Sequence, residues 1–132
     1  MLTTQFTQVK ETCLYFADLE LARHFYHEKL GLPIISFVEK KHVFFRTGSS
    51  VLLCFNPNSS SLKKSPPAHY SSGKYHFALE VEANNYERAK KEIESMDIAV
   101  IDEVTWDNGQ KSFYFNDPIG NVLEIVPKGI WD

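Results

Sequence analysis

Glu11, His76 and Glu124 each stand inside a stretch that is otherwise built for burial: "ETCLYFA", "YHFALEV" and "NVLEIV". An imidazole with two carboxylates is a ligand set suited to a divalent transition metal that keeps open positions for a substrate. The plainer reading is that each is a solvated side chain on the open face of a sheet. Which reading holds depends on the elements that carry the three residues and on the faces those elements present.

Strand side chains alternate between the two faces of a sheet, and the face against a helix is the more uniformly apolar one. In the first stretch that rule sends Thr12, Leu14 and Phe16 toward a helix and leaves Glu11, Cys13, Tyr15 and Ala17 on the other face. In the second it buries Phe77, Leu79 and Val81 and opposes them to His76, Ala78 and Glu80. In the last it buries Leu123 and Ile125 and opposes them to Val122, Glu124 and Val126. "KSFYF" sends Phe113 and Phe115 to the helix side and Ser112 and Tyr114 to the other. The three ionisable residues thus share one kind of face.

The elements repeat. "VKETCLYFA" reads as a strand, after which Asp18 is a helix N-cap and Leu19, Ala22, Phe25 and Tyr26 form an apolar helical face. Gly31 and Pro33 end that helix, and "IISFV", "HVFFRT" and "SVLLCF" follow as strands. The second half begins with "KYHFALEV", then a helix capped by Asn84 or Asn85 with Tyr86, Ala89, Ile93 and Met96 on its apolar face. "IAVIDEV", "KSFYF" and "NVLEIV" complete it. Between the halves, "NPNSSSLKKSPPAHYSSGK" is too polar to bury a core and reads as a connecting loop. The expected organisation is one α+β domain over 1–132: two tandem βαβββ modules, at about 8–57 and 74–127, joined by a linker at 58–73. Roughly 60 residues form a marginal core alone. Paired modules would give a curved, cup-shaped mixed sheet with helices outside, and a concave face is where a ligand binds.

With 43% hydrophobic and 23% charged residues, the composition is that of a globular chain rather than a disordered one. A net charge of −3 gives no reason to expect nucleic acid or an anionic membrane as a partner. No apolar run nears the roughly 18 residues of a membrane span, and no signal pattern opens the chain. A cytoplasmic protein is the expectation. Cys13 and Cys54 are too few for a disulfide framework and read as small hydrophobes. His24, His27, His42 and His69 read as surface residues.

Three segments resemble the vicinal oxygen chelate superfamily, which contains glyoxalase I, extradiol dioxygenases, fosfomycin-resistance enzymes and bleomycin-resistance proteins. "CLYFADLELARHFYHEKLGLP" is similar to the opening of its first module and "KYHFALEVE" to the opening of its second. "SFYFNDPIGNVLEIVP" is similar to its closing signature, an aromatic strand, a DP-x-G turn and a strand carrying a ligand glutamate. The resemblance covers about residues 8–127. It implies paired βαβββ modules around a metal, with Glu124 and His76 as ligands and Glu11 where the first strand carries histidine or glutamine. It also implies a homodimer. By the repeat, Leu53 stands where glyoxalase I has a fourth ligand, so a three-ligand site is expected.

The resemblance implies a lyase, transferase or oxygenase in which a divalent ion (Mn²⁺, Fe²⁺, Zn²⁺, Ni²⁺ or Mg²⁺) chelates neighbouring oxygens of a small-molecule substrate. Tyr114 would contact that substrate, as a tyrosine does in the fosfomycin-resistance enzymes. Cys13, Tyr15, Phe55 and Trp106 would line the pocket, which suits a ligand with an apolar or planar part. The alternative is a metal-free binding protein of the bleomycin-resistance type.

Overall fold

The computed structural model describes residues 5–132. The chain divides into two compact units, one ending at Ser72 and the other spanning Gly73–Asp132. Each is an α+β unit built on a four-stranded mixed sheet.

In the first unit β1 (Glu11–Tyr15) leads to a helix, α1 (Leu19–Ala22), and then to β2 (Ile34–Val38), β3 (His42–Thr47) and β4 (Ser50–Phe55). The sheet order is β1-β4-β3-β2, with β1 parallel to β4 and the other pairs antiparallel. Asp18 caps α1 by accepting the Glu20 amide at 3.1 Å. Beyond Ala22 the helix widens into a π-helix over Arg23–Lys29, which periodicity at α-helical spacing did not anticipate. The wider turn brings successive side chains closer in azimuth, so the adjacent Phe25 and Tyr26 are both buried. Tyr26 meets Phe16 and Phe45 at ring distances of 6.3 and 5.7 Å. Each such aromatic contributes about 1.5–3 kcal/mol by leaving water. Gly31, at φ +81, supplies the left-handed residue that ends the helix. The polar segment after β4 is not wholly irregular: α2 (Pro57–Ser60) opens it, capped by Asn56, and the His69 amide bonds back to the Ser60 carbonyl at 3.2 Å.

The second unit repeats the plan with β5 (His76–Val81), α3 (Tyr86–Ser95), β6 (Asp102–Thr105), β7 (Lys111–Asn116) and β8 (Val122–Pro127). Its order is β5-β8-β7-β6, again with the first pair parallel. A 3₁₀ turn over Ala83–Asn85 leads into α3, and the Asn85 side chain makes no capping bond. Tyr86 and Ile93 of α3 are buried with Phe113, Phe115 and Leu123. Tyr86 donates to Glu103 at 2.8 Å and Lys90 to the same carboxylate at 3.0 Å, tying α3 to β6. In "IAVIDEV" the strand begins at Asp102, and the Ile101 amide just before it already bonds to the Tyr114 carbonyl at 2.8 Å.

The registers establish the repeat residue by residue. Glu11 pairs with Val51 and Cys13 with Leu53. His76 pairs with Val122 and Ala78 with Glu124. Glu11 therefore occupies in its unit the position His76 holds in the other, and Leu53 the position of Glu124. No helix among the described residues is long and apolar enough to cross a membrane.

Candidate metal and substrate site

β5 and β8 lie side by side and parallel, with His76 opposite Val122, which puts Glu124 two residues along on the same face. His76 Nε2 is 3.2 Å from Glu124 Oε1. The other ring nitrogen, Nδ1, is 2.8 Å from the Val122 carbonyl oxygen. A carbonyl only accepts, so Nδ1 carries the proton, and in the neutral ring Nε2 presents its lone pair. Two lone pairs facing one another at that distance repel unless a proton or a cation stands between them. Two ligand atoms each about 2.1 Å from one ion, at tetrahedral or octahedral angles, are separated by roughly 3.0–3.4 Å. The pair fits a divalent metal on that ground, and the backbone bond to Nδ1 is the outer support that a ligand histidine requires. Glu124 is nearly buried, its side chain 11% exposed, while His76 is 51% exposed, so the pair is open on the imidazole side.

The turn between β7 and β8 positions this pair. Asp117 accepts the amides of Ile119 and Asn121 through Oδ1, at 3.1 and 2.9 Å, and the Asn121 carboxamide through Oδ2 at 2.8 Å. Asn121 in turn accepts the Tyr75 amide at 2.9 Å. The residue just before His76 is thereby tied to the residue just before Val122. Gly120 sits at φ +91, and a Cβ there would come within 2.9 Å of the Lys74 side chain. The DP-x-G-N sequence thus fixes how β5 meets β8.

Tyr114 is the cross-strand partner of Glu124. Burial first, and then the Glu124 carboxylate, push its hydroxyl above the ordinary phenol range, against a bond to Ser112 that lowers it. Tyr114 is therefore a proton-bearing donor at neutral pH. Trp106, in the β6–β7 hairpin turn, donates its indole N–H to Ser112 Oγ at 2.9 Å. His76, Glu124, Tyr114 and Trp106 line a cavity of about 600 Å³, whose walls also include Asp107, Asn108, Ala78, Val126, Ile130 and Trp131.

The remaining sequence candidates belong to the first unit. Glu11 and Cys13 are exposed on β1. Partial burial, and then Glu11, raise the Cys13 thiol above its ordinary value, which disfavours a nucleophilic thiolate. Tyr15 and Phe55 stack at 6.4 Å. His69 bonds to the Tyr15 hydroxyl at 2.7 Å and packs edge-on to Phe55 at 4.5 Å, and His42 stacks flat on Phe44 at 3.9 Å. Both histidines were expected as surface residues; they are half-buried parts of an aromatic floor. Burial, then Lys63 and Lys41, hold His42 below the usual imidazole range. Within the described residues, no three His, Cys, Asp or Glu side chains gather into a metal-holding group; His76 and Glu124 are the pair that the second unit assembles by itself. Trp131 was missed because it lies beyond the last strand, where alternation gives no face to a side chain.

The model for the Glyoxalase/Bleomycin resistance protein/Dioxygenase superfamily matches residues 8–125. Among solved structures, a lactoylglutathione lyase from Agrobacterium tumefaciens is 32% identical, with 95% of this chain and 96% of that one covered and a TM-score of 0.88. An integron cassette protein from the mobile metagenome of the Halifax Harbour sewage outfall shares the fold at 23% identity, 92% and 99% coverage and a TM-score of 0.75. A glyoxalase/dioxygenase from Nostoc punctiforme does so at 24% identity, 92% coverage of both chains and a TM-score of 0.65. No curated protein matches the chain.

Proposed function

Because the chain belongs to the Glyoxalase/Bleomycin resistance protein/Dioxygenase superfamily, we propose that it is a metal-dependent enzyme acting on a small molecule through neighbouring oxygens. The observation that carries this reading is the His76–Glu124 pair, set 3.2 Å apart with the far imidazole nitrogen bonded to a backbone carbonyl. His76 and Glu124 would hold the ion, with Glu11 as third ligand. A bound divalent ion supplies Lewis acidity at the substrate oxygens. Tyr114 keeps its proton and donates a hydrogen bond to a substrate oxygen as charge grows there. Ala78 and Val126 give the cavity an apolar wall beside the pair.

The 32% identity to a lactoylglutathione lyase favours lyase chemistry over transfer or oxygenation and makes lactoylglutathione the first substrate to assay. Leu53 occupies the register position equivalent to Glu124, which keeps the carboxylate count at two and separates this site from a four-ligand one. The assembly in this reading is a homodimer, and light scattering measures it.

Metal analysis of protein purified without chelator is the direct test. About one divalent ion per chain, lost in Glu124→Ala, supports the reading. Absence of metal, with no rise in melting temperature on adding Mn²⁺, Fe²⁺, Zn²⁺ or Ni²⁺, would sink it. A metal-free binding protein is the second reading, favoured by the lack of any gathered trio of ligand side chains among the described residues. It requires ligand stabilisation that survives EDTA.

A further inference from the structure

We propose that Trp106 and Trp131 form an aromatic clamp at the mouth of the second unit's cavity, shaped for a planar group that is neutral or positively charged. The inference names the substrate class of the site and so rests on reading this cavity as the substrate site.

Both indoles line the cavity, but they are held differently. Trp106 is fixed by its N–H bond to the buried Ser112 hydroxyl at 2.9 Å. Its backbone closes the hairpin turn through two bonds of 2.8 Å, to Gln110 and from Gly109. Trp131 follows a tail that is held by bonds at Lys128 and Ile130. The Lys128 amide bonds to the Val81 carbonyl at 2.8 Å, and the Asn108 carboxamide donates to the Ile130 carbonyl at 3.3 Å. The tail is therefore tied to the same hairpin that carries Trp106, while Trp131 itself is 92% exposed. A ring that exposed contributes little to folding, whereas a flat ligand laid against it would bury much of its area.

Charge narrows the class further. Glu124 and Asp107 contribute carboxylates to the lining, and neither Lys nor Arg lines this cavity. Indole faces attract cations. In the metal-free cavity an anionic group meets two carboxylates and neither Lys nor Arg, so a strongly anionic ligand is disfavoured there until a cation is bound. The volume of about 600 Å³ suits one small molecule.

Three ligands with one ring system and different charge test this: quinoline, N-methylquinolinium chloride and quinoline-8-sulfonate, titrated calorimetrically into the full chain in EDTA. Quinoline and N-methylquinolinium should bind, with the sulfonate at least about tenfold weaker. Trp131→Ala should weaken N-methylquinolinium roughly three- to tenfold with an unchanged melting temperature, and Trp106→Phe should weaken it less. Equal or tighter binding of the sulfonate, failure of all three to bind, or unaltered binding by Trp131→Ala would overturn the clamp. Addition of Mn²⁺ to Trp131→Ala separates the two readings. A retained metal-induced thermal shift with lost ring binding supports both the metal site and the clamp. Ring binding without any metal shift supports the clamp and overturns the metal site.

Discussion

Asn121 joins the two strands that carry the candidate ligands: its carboxamide oxygen accepts the Tyr75 amide at 2.9 Å, one residue before His76. The same side chain donates to Asp117 at 2.8 Å and is 1% exposed. Asn121→Ala removes both of these bonds and should cost about 1–3 kcal/mol in urea denaturation. Because β5 and β8 then meet less firmly, divalent-ion affinity should also fall, about tenfold or more. Loss of stability without loss of metal affinity would show that the turn supports the fold only.

Glu124→Gln keeps the shape of the Glu124 side chain and removes its charge. His76→Ala removes the imidazole while leaving a half-exposed position that the fold does not need. Both should abolish the rise in melting temperature on adding Mn²⁺ or Zn²⁺. Neither should unfold the protein, since replacing Glu124 removes a nearly buried carboxylate. Thermal shift with and without EDTA checks this.

Tyr114→Phe should leave metal affinity within about twofold, because on the proposed reading the hydroxyl donates to substrate and is not a ligand. It should lower kcat/KM for the eventual substrate by roughly tenfold to a hundredfold. Steady-state kinetics beside a metal titration separates the two effects, and a variant that loses metal instead would move Tyr114 out of this role.

Glu103 offers a stability test independent of function. The bonds from Lys90 and then Tyr86 hold its carboxyl below the ordinary range. The unfolded chain binds that proton more readily. The stabilisation is therefore complete above the ordinary value near 4.5 and is lost as pH falls through the lower folded value. Glu103→Gln should flatten this part of the acid limb. At pH 7 it should cost less than about 1 kcal/mol, because the pair is a quarter exposed and screened by solvent. Urea curves at pH 7 and pH 4 give the comparison; parallel losses in wild type and variant would assign the acid sensitivity elsewhere.

Much of this architecture was legible in the chain itself. Alternation buried Leu14, Phe16, Phe113, Phe115 and Leu123 on the face where they are found, because a period of two leaves little choice once one face is apolar. The repeat predicted Leu53 opposite Glu124, and the registers agree. Local patterns failed where long-range packing decides. His69 sits in a Ser- and Pro-rich stretch that looks solvated, yet it docks between Tyr15 and Phe55. His42 follows two lysines and looks exposed, yet Phe44 two residues on stacks against it. The π-helical turn at Arg23–Lys29 answers the burial of two adjacent rings, which helical spacing treats as one apolar stripe. Trp131 has no strand to assign its direction; two tail hydrogen bonds do so instead.

The duplicated registers also bear on stoichiometry. His76 and Glu124 come from neighbouring strands of one sheet, and the matching places in the first unit hold Glu11 and Leu53. The front half therefore lacks the imidazole–carboxylate pair that the back half holds. On the proposed reading each polypeptide carries a single ion, whether its halves join each other or those of another copy, and a pair of chains carries two.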